Sequence, residues 1–273
     1  MSETKAIRLG GMALANGVLV HGPRSWACAV RAEDGELRLA SGKKPLRAVD
    51  VRSRLLRGPV RVAEIFALLP EVRRRLPEAA LPFQRPGVLG AMAGSMVVIG
   101  AIRRSRLSPL AQESAAALLA LGPAVAALRG TALAEYHGAE HITIGTYEHG
   151  EPRTREHERC GSHMIGPLLV TTAAGSALAS RAPHHLRPFA RAAAGAGAVA
   201  AAVEVFSWMV ANERHPVARA LALPGHELQQ RLVTAEPSPE QLEVAEAALA
   251  ECVRLESAPD GAGDRTAEDT PPA

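Results

Sequence analysis

Short apolar runs of a few residues each fill the first fifth of the chain. Glycine and proline separate these runs. Two of the runs, residues 27–31 and 36–40, flank Asp34-Gly35, a dipeptide that favours a tight turn between two strands. The pattern predicts a β-rich N-terminal domain over residues 1–57 that contains a β-hairpin.

The next segment changes to a helical period. Over residues 59–76, apolar side chains recur at intervals of three and four, and the segment ends in Arg73-Arg74-Arg75. This spacing predicts an amphipathic helix. Its apolar face packs in the core or lies on a membrane surface, and the core is the expected position.

Four long stretches with almost no charge follow. They are residues 86–102, 114–128, 164–180 and 192–212, and the last of them contains one acid, Glu204. A membrane helix needs about 20 apolar residues, and arginines flank the stretches. We therefore expect a mainly α-helical, membrane-embedded bundle within residues 58–221. A soluble bundle of Ala-rich helices is the alternative.

Four spans would place both tails and the segment between the second and third spans on one side of the membrane. The residues after Met1 contain no apolar run typical of a secretory signal, so that side is expected to be the cytoplasm. The arginines of residues 103–113 and 181–191 would then face outward, against the positive-inside rule. The sequence predicts a multi-pass protein of the cell membrane and leaves full spans and re-entrant half-spans open.

Polar residues dominate again after residue 221. Ser238-Pro-Glu-Gln241 is a helix-capping sequence followed by an apolar stripe, so residues 222–256 are expected to form a soluble helical segment that docks on the fold. Residues 257–273 have almost nothing to bury and are predicted to be a disordered tail. The expected class is α+β, with a small β-rich N-terminal domain, a membrane-embedded helical bundle and a C-terminal soluble helix.

Composition argues against two classes of protein. The 273 residues carry 31 Lys and Arg against 28 Asp and Glu, and only 3% are aromatic, so the basic clusters lack interleaved aromatic residues. Nucleic acid is therefore not an expected partner. Cys28, Cys160 and Cys252 are odd in number and far apart, which argues against a disulfide framework and indicates a reducing compartment.

Candidate chemistry is concentrated in residues 135–163, which hold five of the ten histidines. His137-Gly-Ala-Glu140-His141 has the order H-x-x-E-H, which is the order used by inverted zinc peptidases. On a helix the two imidazoles lie one turn apart on one face, with the carboxylate beside them. They can bind one zinc ion while Glu140 activates a zinc-bound water. Alternatively, the histidines are only hydrogen-bonded and Glu140 only pairs with an arginine.

Four further side chains are candidates for the remaining metal ligands. Cys160 lies between two histidines in sequence, and zinc accepts mixed nitrogen and sulfur ligands, although an inert buried thiol is the commoner case. Glu204 stands inside an apolar stretch, where a carboxylate is costly unless it is protonated, paired or bound to a metal. His157 and Glu148 complete the candidate set.

Four segments together carry a resemblance to a known family. They are Gly10–Val18 with His21-Gly-Pro23, Tyr136–His141 with Tyr147-Glu148, Arg159-Cys-Gly161, and Pro224–Gln229 with Glu236-Pro237 and Gln241–Ala245. In these segments the chain resembles the YqhQ-like family of uncharacterised bacterial membrane proteins, which are described as predicted metal-dependent enzymes. The resemblance implies a membrane location and a metal site and does not name a reaction.

The chain also departs from the pattern of that family. The family has glutamine and glutamate at the positions of Met12 and Asn16, and lysine and usually histidine at the positions of Ile142 and Gly145. Ser162-His163-Met164 replaces a Thr-Ser-Phe run. The chain resembles a divergent member that has lost several polar positions, and these losses bear on catalysis more than on the fold.

Two classes of function stay open. The first is a zinc-dependent hydrolase at the membrane surface, with His137, His141 and either Glu204 or Cys160 as ligands and Glu140 as base. The second is a non-catalytic membrane scaffold or transport-associated protein, in which the cluster is a structural metal site or a polar plug. Three protein ligands indicate chemistry, whereas four indicate structure. The expected partners are membrane lipid, an unidentified protein partner or substrate, and further copies of the chain in a homo-oligomer.

Overall fold

The structure is a computed structural model that describes residues 6–51, 54–81, 84–128 and 131–258. The described residues form two compact units, each built from separate segments. The first unit draws on Met1–Gln84, Leu128–His157 and Leu232–Ala273, and the second on Arg85–Ala127 and Glu158–Arg231. The sequence predicts domains made of consecutive segments, with boundaries at residues 57, 221 and 256, and this division stays a prediction. From residue 259 onward the predicted tail lies outside the described residues.

Strands precede helices along the chain. The strands are β1 (Gly10–Leu14), β2 (Gly17–His21), β3 (Ser25–Arg31) and β4 (Leu37–Lys43). The helices are α1 (Arg54–Arg75), α2 (Pro86–Arg104), α3 (Pro109–Leu128), α4 (Ala132–His149), α5 (Ile165–Ser180), α6 (Arg187–Ala211), α7 (Pro216–Leu228) and α8 (Pro239–Ser257). A π-helical turn, Gln229–Val233, directly follows α7.

In the first unit, β1 to β4 form one antiparallel sheet in sequence order. The hairpin between β3 and β4 turns at Asp34-Gly35, and Gly35 has a φ of 85°, a left-handed conformation that favours glycine. The predicted β-rich region and its hairpin are thereby confirmed.

Helices cover both faces of this sheet, which explains why its strands lack a clean alternation of apolar and polar residues. On one face, Leu68 and Val72 of α1, and Leu76 just after it, join Trp26 and Cys28 in a buried apolar cluster. The predicted core position of this helix is therefore confirmed. The opposite face contacts α4 and α8.

The start of α8 follows the predicted capping sequence. The Ser238 hydroxyl accepts a hydrogen bond from the Gln241 backbone N–H at 3.3 Å, and the Gln241 side chain accepts one from the Ser238 backbone N–H at 2.8 Å. Farther along the helix, Glu251 accepts from the Ser41 hydroxyl at 2.7 Å, and Glu256 accepts from the Ser25 N–H at 2.6 Å. The predicted docking of this helix on the fold is confirmed.

A buried ion pair ties the end of the sheet to α1. Lys44 Nζ contacts the Glu64 carboxylate, which also accepts a hydrogen bond from the Ala48 N–H at 3.3 Å. The same ammonium lies 3.0 Å from Nδ1 of His21. Burial and then the nearby Lys44 charge lower the pKa of His21 to about 3, so this imidazole is neutral in the folded protein at pH 7.

The second unit is helical. Its helices α5 and α6 approach so closely that a Cβ added to Gly175 would lie 3.2 Å from the Ala194 carbonyl oxygen. The Thr171 hydroxyl donates to the Ala198 carbonyl at 2.9 Å across the same contact. Small residues and a polar cross-link of this kind are typical of helix pairs in membranes.

Among the described residues, three helices are long and apolar enough to cross a membrane: Pro86–Arg104, Ala111–Leu128 and His184–Ala211. Large apolar side chains on them are exposed, including Met96 and Val97 at 73% each. The fourth expected span, residues 164–180, forms the 16-residue α5 instead. At about 1.5 Å per residue it is near 24 Å long, shorter than a hydrocarbon core of about 30 Å. Three of the four expected spans therefore qualify.

Candidate metal centre

The H-x-x-E-H motif lies in the middle of α4, which ends at Gly150 in a left-handed conformation. Most of the motif is buried in the first unit, with Glu140 and His141 exposed by 7% and 1%. A Cβ added to Gly138 would lie 2.1 Å from the Ala235 carbonyl oxygen. The segment after the π-helical turn therefore lies directly on this part of the helix. The helical arrangement predicted for the motif is present.

The two histidines of the motif face each other one turn apart. Their ring centroids are 4.4 Å apart, and a ligand nitrogen of His137 lies within 4.8 Å of one of His141. Nδ1 of His137 lies 2.9 Å from the Val233 carbonyl oxygen, and Nδ1 of His141 lies 2.7 Å from that of Arg155. Because a carbonyl only accepts, each Nδ1 carries the hydrogen, and each neutral ring has its lone pair on Nε2. Metal-binding histidines are commonly oriented in this way.

Glu140 lies beside this pair. One carboxylate oxygen is 3.9 Å from Nε2 of His137. The rest of the side chain rests on Gly11 of β1, where a Cβ would come within 2.4 Å of the other oxygen. No described residue donates a hydrogen bond to this carboxylate. The side chain is 10% exposed, so a cation or a water molecule can still reach this carboxylate.

His157 adds a third imidazole on the same side of α4. Its ring centroid is 5.5 Å from that of His141, and its Nε2 lies 3.4 Å from Glu148. Glu148 also accepts a hydrogen bond from the Leu9 N–H at 3.3 Å, which fixes the carboxylate between β1 and the histidine. When Nε2 donates to Glu148, the lone pair of His157 is on Nδ1. A carboxylate that orients a histidine in this way is common beside bound zinc.

The His137–His141 pair of the first unit fits zinc, since ligand atoms of the two rings lie within 4.8 Å of each other. A carbonyl orients each of these rings, and a carboxylate orients the neighbouring His157. Nitrogen donors and a nearby carboxylate are ligands that zinc accepts in either structural or catalytic sites.

The other two candidate ligands belong to the second unit. Cys160 is half-buried and precedes the short helical turn Gly161–Met164, where its carbonyl accepts from the His163 N–H at 3.0 Å. Glu204 is exposed on α6. Their roles as ligands stay predictions.

The remaining two cysteines are inert by comparison. Burial raises the pKa of the Cys28 thiol, and burial and then the Glu256 charge raise that of Cys252 to about 12. Neither forms a thiolate near neutral pH, so Cys160 is the cysteine best suited to bind a metal.

Sequence reasoning missed the groups that orient the imidazoles. The carbonyls of Arg155 and Val233 left no signal, because every residue carries a carbonyl. Gly11 carries only a weak signal, because a Gly-Gly pair is as typical of a strand boundary as of space for a neighbouring side chain such as Glu140.

Comparison with known proteins agrees with the resemblance noted from the sequence. Residues 131–255 match the family described as "Protein of unknown function (DUF1385)". The chain is also 34% identical over 131 residues to "Uncharacterized protein YqhQ" of Bacillus subtilis, a match that covers 45% of this chain and 41% of that protein. The matched region thus spans less than half of the curated relative. No solved structure matches the chain significantly.

Proposed function

Because residues 131–255 match the family that DUF1385 describes, the chain is similar to the uncharacterised protein YqhQ, and the matched region contains the H-x-x-E-H helix, we propose that the chain is a membrane-anchored, zinc-dependent hydrolase. One observation carries the proposal. The Glu140 carboxylate, whose side chain is 10% exposed, lies 3.9 Å from one of two imidazoles that backbone carbonyls orient with Nε2 as the basic nitrogen.

Each residue has a separate role in this proposal. His137 and His141 would hold zinc through Nε2, and His157 would be the third ligand through Nδ1, with Glu148 orienting its ring. Zinc, when bound, supplies a Lewis acid and lowers the pKa of water toward neutrality. Glu140 takes a proton from the attacking water at its carboxylate and returns that proton to the leaving group.

Whether Cys160 or Glu204 also binds the metal decides whether the site is catalytic or structural. Cys160 follows His157 by three residues, so the chain itself limits their Cα atoms to about 11 Å apart. If Cys160 joined the three histidines, four protein ligands would fill a tetrahedral site. The centre would then be structural, and the chain a non-catalytic scaffold or transport-associated protein. Glu204 is the less favoured ligand because its side chain is exposed.

The first unit also constrains the membrane topology that we propose. Its three segments pack together, so they lie on the same side, which is the cytoplasmic side in this proposal. The chain between residues 158 and 231 must therefore cross the membrane an even number of times. Since His184–Ala211 is the one candidate span there among the described residues, either α5 crosses as a short span or α6 enters and leaves on the same side.

Metal analysis of the detergent-purified chain tests the proposal. We expect about one zinc per chain and much less in a His137→Ala, His141→Ala double variant. The control is His184→Ala, His185→Ala, which removes two exposed imidazoles from the second unit and should leave the zinc content unchanged. Equal, sub-stoichiometric zinc in all three proteins would reduce the cluster to a hydrogen-bond network.

Glu140→Gln separates the two functions. The amide keeps the shape of the side chain and cannot take up a proton. In a hydrolase, the variant should retain zinc and lose hydrolysis of fluorescein-labelled casein, with a loss of about 100-fold or more for a general base. A Cys160→Ala variant that loses most of its zinc and its folding, while Glu140→Gln changes nothing, would favour the structural site.

A further inference from the structure

Basic residues of the second unit gather where α5 passes into α6. Between Glu158 and Glu204 the sequence contains no aspartate or glutamate. Residues 181–191, which we call the hairpin tip, lie in the middle of this acid-free segment. The basic side chains of the hairpin tip are all exposed, and they are Arg181, His184, His185, Arg187 and Arg191.

No acid of the protein compensates this positive charge. The Nε of Arg187, at the start of α6, donates to the Ala182 carbonyl at 3.2 Å, just after the end of α5. In the part of the chain that the structure describes, no carboxylate pairs with a basic side chain of the hairpin tip. The turn between α2 and α3 differs, since Arg103 there pairs with Glu113 at 3.1 Å. The hairpin tip therefore suits an anionic partner.

Large apolar side chains are exposed among the basic ones. Phe189 is 75% exposed and Leu186 is 47% exposed. Both belong to the candidate membrane span His184–Ala211. Apolar side chains mixed with long basic ones are typical of a segment at the boundary between the hydrocarbon and the headgroups of a bilayer.

The length of α6 agrees with that position. At about 1.5 Å per residue, a hydrocarbon core of about 30 Å is crossed by about 20 helical residues. Since α6 has 25 residues, its first turn, Arg187–Arg191, extends beyond the core when residues 192–211 cross it. Arg187 and Arg191 are four positions apart, so they lie on one face of the helix at the level of the headgroups.

We propose that the hairpin tip binds the headgroup of an anionic phospholipid. Arg181, Arg187 and Arg191 contact the phosphate, because guanidinium groups match phosphate oxygens with paired N–H donors. Phe189 lies in the adjoining apolar layer. The positive-inside rule leaves these arginines unexplained, whereas headgroup binding gives them a role on either side of the bilayer. The inference does not depend on the metal centre.

Native mass spectrometry of the full-length chain in detergent tests this site. Phosphatidylglycerol is the anionic probe, and phosphatidylcholine is the reference without net charge. The unaltered chain should bind phosphatidylglycerol at least tenfold more tightly than phosphatidylcholine, since one basic residue at a bilayer surface strengthens binding to anionic lipid about fivefold. An Arg181→Gln, Arg187→Gln, Arg191→Gln triple variant should bind the two lipids about equally.

Two further triple variants separate the hairpin tip from charge in general and from folding. Arg214→Gln, Arg219→Gln, Arg231→Gln removes the same charge from other exposed positions of the second unit, where Glu227 pairs with Arg231 at 2.9 Å. This control should keep the tenfold preference. Lysine at residues 181, 187 and 191 retains the charge and should keep most of the preference.

Several results would overturn the inference. They are equal binding of both lipids by the unaltered chain, a full preference in the glutamine variant of the hairpin tip, an equal loss in the control, and a complete loss in the lysine variant. Displacement of phosphatidylglycerol by an equal concentration of inorganic phosphate would also overturn it, because the ligand would then be free phosphate. Zinc content measured on the same samples tests the metal proposal separately, since the variants of the hairpin tip should bind zinc as the unaltered chain does.

Discussion

Replacing Gly138 by alanine should push the segment after the π-helical turn away from α4. The added Cβ would lie 2.1 Å from the Ala235 carbonyl oxygen, and because that obstacle is backbone, no side-chain rotation relieves the clash. Two hydrogen bonds of 2.9 Å span the same contact, one from Ala235 N–H to the Ala134 carbonyl and one from His137 to the Val233 carbonyl. A shift of the segment weakens both.

The change in the free energy of unfolding is the sum of two destabilising contributions and one stabilising contribution. Overpacking costs about 1–3 kcal/mol, and loss of a backbone hydrogen bond costs about 1 kcal/mol. Alanine returns about 1 kcal/mol through its better helix propensity. The free energy of unfolding should therefore fall by about 1–3 kcal/mol, which lowers Tm by roughly 2–12 °C in a chain of this size. Zinc affinity should fall about 10- to 100-fold, because His137 loses the carbonyl that orients it.

Thermal unfolding and competitive zinc titration of the full chain in detergent measure both effects. Gly90→Ala in α2 is the matched control, since nothing lies within 4 Å of the position of its added Cβ. It should leave Tm and zinc affinity unchanged or raise Tm slightly. If Gly138→Ala unfolds at the same temperature as Gly90→Ala and binds zinc equally well, the close contact between α4 and Ala235 is wrong.

Three further predictions concern the rest of the fold. Lys44→Met should destabilise the chain by about 3–5 kcal/mol in thermal unfolding, because Glu64 is left buried without its partner, and a Lys44→Met, Glu64→Leu double variant should recover much of the loss. Because the pKa of His21 is lowered to about 3, its neutral form contributes stability in full above about pH 6.5. This contribution is progressively lost as the pH falls toward about 3. The slope is about 1.4 kcal/mol per pH unit, and acid unfolding of His21→Gln should lack it. Gly175→Leu should force α5 and α6 apart and lower Tm, whereas Gly195→Leu, which meets nothing within 4 Å, should not.

Local sequence patterns predicted much of the fold. The Asp34-Gly35 turn, the amphipathic period of α1 and the capping residues at Ser238 each describe contacts within a few positions of one another, and each predicted element is present. The absence of charge over long stretches also identified the apolar helices. It could not separate α5 from the longer three, because an uncharged stretch does not show how far its helix continues. The helices α2 and α3 extend past their stretches into charged residues, whereas α5 ends at Ser180.

Spacing alone predicted half of the site. His137, Glu140 and His141 are neighbours on α4 because a helix brings positions three and four apart together. The role of Gly11 could not be predicted, since its contact with Glu140 depends on how β1 packs against a helix about 130 residues later in the chain. No periodic signal encodes such a distance. Cys160 and Glu204 were chosen for their chemistry, and chemistry by itself does not fix a position in space.

The two carbonyls that orient the imidazoles make the candidate metal centre depend on segments that are far apart in sequence. Arg155 precedes residues 158–231 of the second unit, and Val233 follows them. His141 can be oriented as soon as α4 and the loop after it have formed. His137 is oriented only when Val233, from beyond the second unit, has returned to the first unit. Closing that long loop costs entropy that a local helix contact does not, so the contact of His137 with Val233 is expected to form later than that of His141 with Arg155. If the proposed zinc site exists, its affinity would therefore depend on this long-range contact as well as on the H-x-x-E-H helix.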